Sequence, residues 1–103
     1  MANNLAVSAG NFSATQGPFT IEKGLYSVTI VGAGGATFTG GGSVSLDLCG
    51  PDGSTYLIVK DAYGNAATFT GNSETVVTLP DGQVEFVVSG TVSAVYMVVA
   101  PIS

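Results

Sequence analysis

Apolar and polar residues alternate with a period of two along most of this chain. Tyr26, Val28 and Ile30 fall on one side of their segment, and residues 43–49 and 83–89 repeat the alternation. This pattern is typical of β-strands with one buried face. The segments are also rich in β-branched residues, which favour strands. They therefore predict sheets with one apolar face each.

Frequent turn signals divide the chain into short segments. No window of ten or more residues has the i, i+3, i+4 apolar spacing of a helix without a glycine interruption, so we expect no substantial helix. The strand candidates are residues 5–9, 18–22, 25–31, 36–39, 43–49, 54–60, 67–70, 74–79, 83–89 and 93–99. Eight to ten short strands at this spacing predict an all-β fold, an antiparallel β-sandwich that is jelly-roll-like. At 103 residues the chain is one domain. Residues 1–20 are expected to form an N-terminal arm or edge strand, and residues 21–103 the sandwich.

A short unit occurs twice. Residues 36–40 and 67–71 both have the sequence ATFTG, and a Pro-Asp-Gly turn follows each copy. These turns, at residues 51–53 and 80–82, suit a tight reversal of the chain. We expect two related hairpins that face each other across the sandwich. The predicted hairpins pair 43–48 with 54–59 and 74–79 with 83–88.

Two segments, residues 56–59 and 94–99, are apolar on both faces. Because one face of each sheet meets the core of a sandwich, the second face needs a cover. The cover is either the arm around residues 3–15 or another subunit. Exposed apolar patches usually mark partner surfaces, so we favour a subunit and take strand 93–99 as the seam of a dimer or trimer. The candidate interface residues are Leu57, Val59, Val95, Met97, Val99 and Phe12.

The composition is poor in charge. Charged residues make up 9% of the chain, against about 25% in a typical soluble domain. The net charge is −5, and Lys23 and Lys60 are the two basic residues. Two lysines cannot neutralise a run of phosphates, which argues against nucleic-acid and anionic-membrane partners. The chain start has no signal-peptide pattern and Cys49 is the single cysteine, so we expect synthesis in a reducing cytoplasm.

No residue pattern predicts a catalytic or metal site. The chain has no histidine, so Cys49 lacks the usual partner of a catalytic thiol and zinc lacks ligands. The glycine-rich stretch 32–35 is not followed by a further glycine at position 37 or by a helix, which excludes a dinucleotide fingerprint. We therefore expect neither an enzyme nor a bound cofactor or metal. Calcium needs several oxygen ligands, and two pairs of residues could contribute some of them, Asp61 with Asn65 and Asp47 with Asp52. Neither pair belongs to a calcium-loop motif.

The chain contains a set of short stretches that form a recognisable series: GLYSV at 24–28, GSVSL at 42–46, GPDGS at 50–54, LPDGQ at 79–83, and closing segments at 88–90, 95–96 and 101–102. Together these stretches resemble a type of small virion protein of tailed bacteriophages. The resemblance covers roughly residues 24–102 and consists of turns and strands.

This resemblance implies a capsid-associated accessory protein of the decoration, cement or head-fibre kind. Such a protein is made in the host cytoplasm and is located on the virion surface. Its partners would be the major capsid protein or other virion proteins, and it would stabilise the shell by adding buried contacts. The alternatives are a tail or neck component and a carbohydrate-binding module, which would use exposed tyrosines among Tyr56, Tyr63 and Tyr96.

Overall fold

The alternating segments form nine strands and no helix in the computed structural model, which describes residues 6–32 and 37–102. The strands are β1 (Val7–Phe12), β2 (Gln16–Ile21), β3 (Gly24–Gly32), β4 (Phe38–Cys49), β5 (Tyr56–Ile58), β6 (Thr68–Phe69), β7 (Ser73–Leu79), β8 (Gly82–Val92) and β9 (Val95–Pro101). The prediction of an all-β chain is confirmed. Within these residues no helix is long and apolar enough to cross a membrane.

The strands pack as two antiparallel sheets. Sheet A has the order β1-β9-β3-β7, and sheet B has the order β2-β8-β4-β5, with β6 also paired to β4. The first strand of the sequence pairs with the last, the second with the second-last, and so on towards the middle. The pairs are β1 with β9, β2 with β8, β3 with β7, and β4 with β5 and β6. An antiparallel ribbon rolled in this way has the arrangement of a jelly roll, as the sequence predicted.

The core lies between the inward faces of the two sheets. Tyr26, Val28 and Ile30 of β3 are buried, as their alternation predicted. Phe86 of β8 is fully buried and packs against Phe12 and Phe19, with ring centroids 6.3 and 4.9 Å apart. Phe12 of β1 and Phe19 of β2 therefore pack the first two strands of the chain against the centre of sheet B.

The two Pro-Asp-Gly turns have different roles. The first closes the predicted β4–β5 hairpin, in which Leu48 pairs with Leu57. The second hairpin prediction is wrong, because β7 pairs with β3 in sheet A whereas β8 pairs with β2 and β4 in sheet B. Residues 80–82 therefore connect the two sheets.

The sequence difference between the copies explains these two outcomes. The first copy has two extra residues, and one of them, Gly50, donates its N–H to the Thr55 carbonyl at 2.6 Å to close the hairpin. The second copy has no such residues. There the Asp81 carboxylate accepts a 2.6 Å hydrogen bond from the Lys23 N–H, which belongs to the neighbouring β2–β3 connection.

A glycine run expected to separate two strands lies inside β4 instead. Gly40 and Gly41 have φ values of 58° and 77°, and the register with β8 shifts between Thr39 and Ser43. Candidate strands 36–39 and 43–49 are therefore one bent strand. Residues 1–5, 33–36 and 103 lie outside the described part of the chain, and with them most of the glycine-rich stretch 32–35 and the first residue of the repeat.

The described part of the predicted N-terminal arm belongs to the sandwich. β1 is the edge strand of sheet A beside β9, and β2 is the edge strand of sheet B beside β8. This arm contains a cis peptide bond before Pro18, and Asn11 has a positive φ of 53°.

Candidate binding surface

Five of the six predicted interface residues lie in the core of the chain itself. Their exposed fractions are 0 to 8%, whereas Leu57 is 61% exposed. The five buried residues are Phe12, Val59, Val95, Met97 and Val99. The prediction that these side chains form a seam is therefore wrong. β9 also lies inside sheet A, between β1 and β3, so it is not an edge strand.

The second apolar face of β9 consists of the alternate residues. Tyr96 is 47% exposed, and Val98 and Ala100 are half-buried on the same side of the strand. The sequence pattern identified a two-sided strand but not which side faces the core. The residue types could have indicated the inward side. The outward residues include a tyrosine hydroxyl and a small alanine, which suit contact with water better than Val95, Met97 and Val99 do.

The solvent side of sheet A, called here the outer face, is large and almost uncharged. Strand alternation and the β1–β9, β9–β3 and β3–β7 registers define its side chains. They are Ser8, Gly10, Leu25, Ser27, Thr29, Val31, Glu74, Val76, Thr78, Tyr96, Val98 and Ala100. Among these described positions Glu74 is the one charge, and Leu25, Val31, Val76 and Tyr96 are exposed apolar or aromatic residues.

One end of the outer face is built around Tyr96. Its ring lies over Gly10, where an added Cβ atom would be 2.9 Å from the Tyr96 Cδ2 atom. Tyr96 also pairs across strands with Val31. Beside them is an open depression of about 280 Å³, whose walls include Ser8 and Thr29. A flat aromatic ring, aliphatic neighbours and a few hydroxyls thus surround a shallow depression, which makes this end of the outer face a candidate binding surface.

The solvent side of sheet B has a different chemistry. Asp47 and Glu85 are cross-strand neighbours there, and Ser45 Oγ donates a 2.7 Å hydrogen bond to the Asp47 carboxylate. Partial desolvation, together with the nearby Cys49 and Glu85, raises the pKa of Tyr56 on the same side. The solvent side of sheet B therefore carries the acidic pair of Glu85 and the buried Asp47, whereas Glu74 is the one charge among the described residues of the outer face of sheet A.

The carboxylates in the loops stabilise their own turns. The Asp52 carboxylate accepts hydrogen bonds from the Thr55 hydroxyl at 2.6 Å and from the Thr55 and Ser54 N–H groups, which lowers its pKa to about 2. The Asp61 carboxylate accepts bonds from the Asn65 and Tyr63 N–H groups, and its pKa is also lowered. Asp52 and Asp61, which belong to the two residue pairs considered for calcium, are thus carboxylates already bonded within their own loops. In the described ranges no three or more acidic or cysteine side chains group as a metal site would require.

No protein-family model matches the chain, and neither a curated protein nor a solved structure matches it. Because a jelly roll hosts many unrelated functions, the fold does not identify the activity either. The functional argument therefore rests on the surface of the molecule.

Proposed function

We propose that this chain is a non-enzymatic structural protein that binds other protein subunits through the outer face of sheet A. More specifically, we propose a decoration or cement protein that binds the outer capsid of a bacteriophage particle and stabilises the shell. The observation that carries the proposal is the extent of the outer face, which spans four strands with one charge among its described residues.

The chemistry of this face suits a protein partner. The centre of a protein interface is depleted of charged residues and enriched in aromatic ones, because desolvating a charge costs more than desolvating an aliphatic or aromatic side chain. Val31 and Tyr96 are paired neighbours that keep 42% and 47% of their surface exposed. A partner that covered both side chains would complete their burial without leaving a charged group buried and unpaired.

The virion part of the proposal rests on the sequence stretches between residues 24 and 102 that resemble phage accessory proteins. A cement protein needs no catalytic site, because it acts through binding alone. A ligand that binds the assembled shell better than its separated subunits stabilises the shell by mass action. A chain with a well-packed sandwich core and one broad, nearly uncharged face suits that role.

The test is binding to purified particles of the phage that encodes the chain. Val31→Lys places an ammonium group beside Tyr96 on the outer face, and Ile58→Lys is the matched control because Ile58 is 45% exposed on the side of sheet B. We expect Val31→Lys to weaken co-sedimentation with particles by at least about tenfold and Ile58→Lys to leave it unchanged. Equal binding by both variants, or absence of the protein from particles, would contradict the proposal.

Carbohydrate binding is a second candidate, and the depression beside Tyr96 favours it. An exposed aromatic ring with hydroxyls nearby suits the stacking of a sugar ring. Tyr63, at 90% exposure, lies far along the chain in the hairpin that follows β5 and does not line this depression. A glycan array that binds the wild-type chain but not Tyr96→Ala would support this function, and an array without hits would remove it.

A further inference from the structure

We propose that two copies of this chain pair edge to edge through β7, in an antiparallel register centred on Val76. This inference uses the edge of sheet A and does not depend on the proposed binding through its outer face. Three observations carry it: an unprotected edge strand, a leucine that faces inward without a cover, and a self-complementary strand sequence.

β7 is the one edge strand of the described sandwich without a protective feature. Proteins usually blunt edge strands with bulges, prolines, lysines or short length, because a free row of N–H and C=O groups invites another strand. In β1 the register shifts between Ala9 and Phe12, β2 contains Pro18, and β5 has three residues. β7, by contrast, pairs with β3 over seven consecutive residues and contains no proline, lysine or bulge.

Leu57 indicates where the missing cover belongs. It pairs with Leu48 of β4, on the core side of sheet B, and yet it is 61% exposed. It lines a groove of about 440 Å³ together with Leu79 and Pro80, at the end of β7. Sheet A ends at β7, and Leu57 keeps most of its surface exposed in the groove beside that edge. A fifth strand added beside β7 would extend sheet A across the groove and bury it.

The sequence of β7 favours another β7 as that strand. A twofold axis at Val76 pairs all seven residues of Ser73–Leu79, which no other antiparallel register does. It places each Glu74 opposite Thr78 of the second copy, so the two carboxylates do not face each other. It also places the two Val76 side chains, each 44% exposed, side by side on the outer face. Cross-strand pairs of β-branched residues stabilise sheets, and like charges directly opposite destabilise them.

The resulting dimer has an isologous interface and a continuous sheet of eight strands. Both outer faces lie on the same side of this sheet. The dimer would thus present a doubled uncharged surface to a partner, while each copy covers the groove of the other.

The oligomeric state of the full chain tests this inference by sedimentation velocity and light scattering. We expect a dimer whose dissociation constant rises by at least about tenfold in Val76→Lys, because two ammonium groups then meet on the axis. Val31→Lys is the matched control, with 42% exposure on β3 of the same face, and it should remain dimeric. Thr78→Lys should tighten the dimer at low salt, since its ammonium faces Glu74 of the other copy.

A wild-type chain that stays monomeric up to about 0.1 mM would overturn the inference. So would a dimer that dissociates in Val31→Lys but not in Val76→Lys, or one that Thr78→Lys weakens. Far-ultraviolet circular dichroism of each variant checks that it is folded, which is expected because all three sites are on the surface. Particle binding by a monomeric wild type would overturn the dimer and leave the proposed function standing.

Discussion

Replacement of Gly42 by alanine should destabilise the fold more than any other single methyl addition at a described glycine. Gly42 lies in β4 against the backbone of β8, and an added Cβ atom would be 1.9 Å from the Thr91 carbonyl oxygen. Gly90 of β8 packs against the same point, with an added Cβ atom at 2.9 Å from the Gly42 Cα atom. Both neighbours are backbone, so no flexible side chain can move away.

The cost follows from this geometry. A carbon and an oxygen in ordinary contact are about 3.5 Å apart, so two paired strands would have to separate by more than an ångström. Overpacking that forces backbone shifts costs about 1–3 kcal/mol and occasionally more. We expect a loss near or above the upper limit, about 3 kcal/mol, because the clash is with backbone. For a domain of this size that loss lowers the melting temperature by about 12–24 °C.

Thermal unfolding followed by circular dichroism measures this effect. Gly71→Ala is the matched control, because an added Cβ atom there has no neighbour within 4 Å and its φ lies outside the strained region. Its melting temperature should be unchanged or slightly higher, since alanine reduces the freedom of the unfolded chain. A Gly42→Ala protein that melts within about 4 °C of Gly71→Ala would refute the close approach of β4 and β8.

Two further predictions concern the core and a turn. Phe86→Ala should lower the free energy of unfolding, measured by urea denaturation, by about 3–5 kcal/mol, because Phe86 is fully buried and packs against Phe12 and Phe19. A loss below about 1 kcal/mol would contradict this packing of the core. Asp52 should titrate at about 2 rather than 3.8 in a carboxyl-detected NMR titration, since the folded turn favours its ionised form. With its folded pKa below its unfolded pKa, this carboxylate stabilises the fold above about pH 4 and loses that contribution as the pH falls towards 2. A wild-type midpoint near 3.8 would contradict the hydrogen-bonded turn. Thr55→Val should raise the pKa only part of the way, because the Thr55 and Ser54 N–H bonds remain.

The fold was largely predictable because one-sided alternation reports burial directly. Tyr26, Val28 and Ile30 alternate with hydroxyl residues, so a period of two assigned their strand and its inward face together. Turn sequences were less informative. The same Pro-Asp-Gly letters close a hairpin after β4 and connect two sheets after β7. In the first case Gly50 bonds to nearby Thr55, whereas in the second Asp81 accepts a bond from Lys23, which is distant in the sequence.

The candidate binding surface was harder to predict because one of its strands, β9, is apolar on both faces. Alternation cannot assign the two sides of β9, and the choice of Val95, Met97 and Val99 as the partner side was wrong for that reason. The glycine run in β4 was also interpreted wrongly, as a turn that separates two strands. Positive φ at Gly40 and Gly41 is typical of a turn, but here it bends a strand whose pairing with β8 continues on either side.

An electron cryomicroscopy map of particles carrying this chain would show directly which side of the sandwich contacts the shell. We expect density for the sandwich on the outside of the shell, with Val31 and Tyr96 of the outer face buried against capsid protein and the acidic side of sheet B turned to solvent. A sandwich bound through Asp47 and Glu85 of sheet B, or particles without density for the chain, would contradict it.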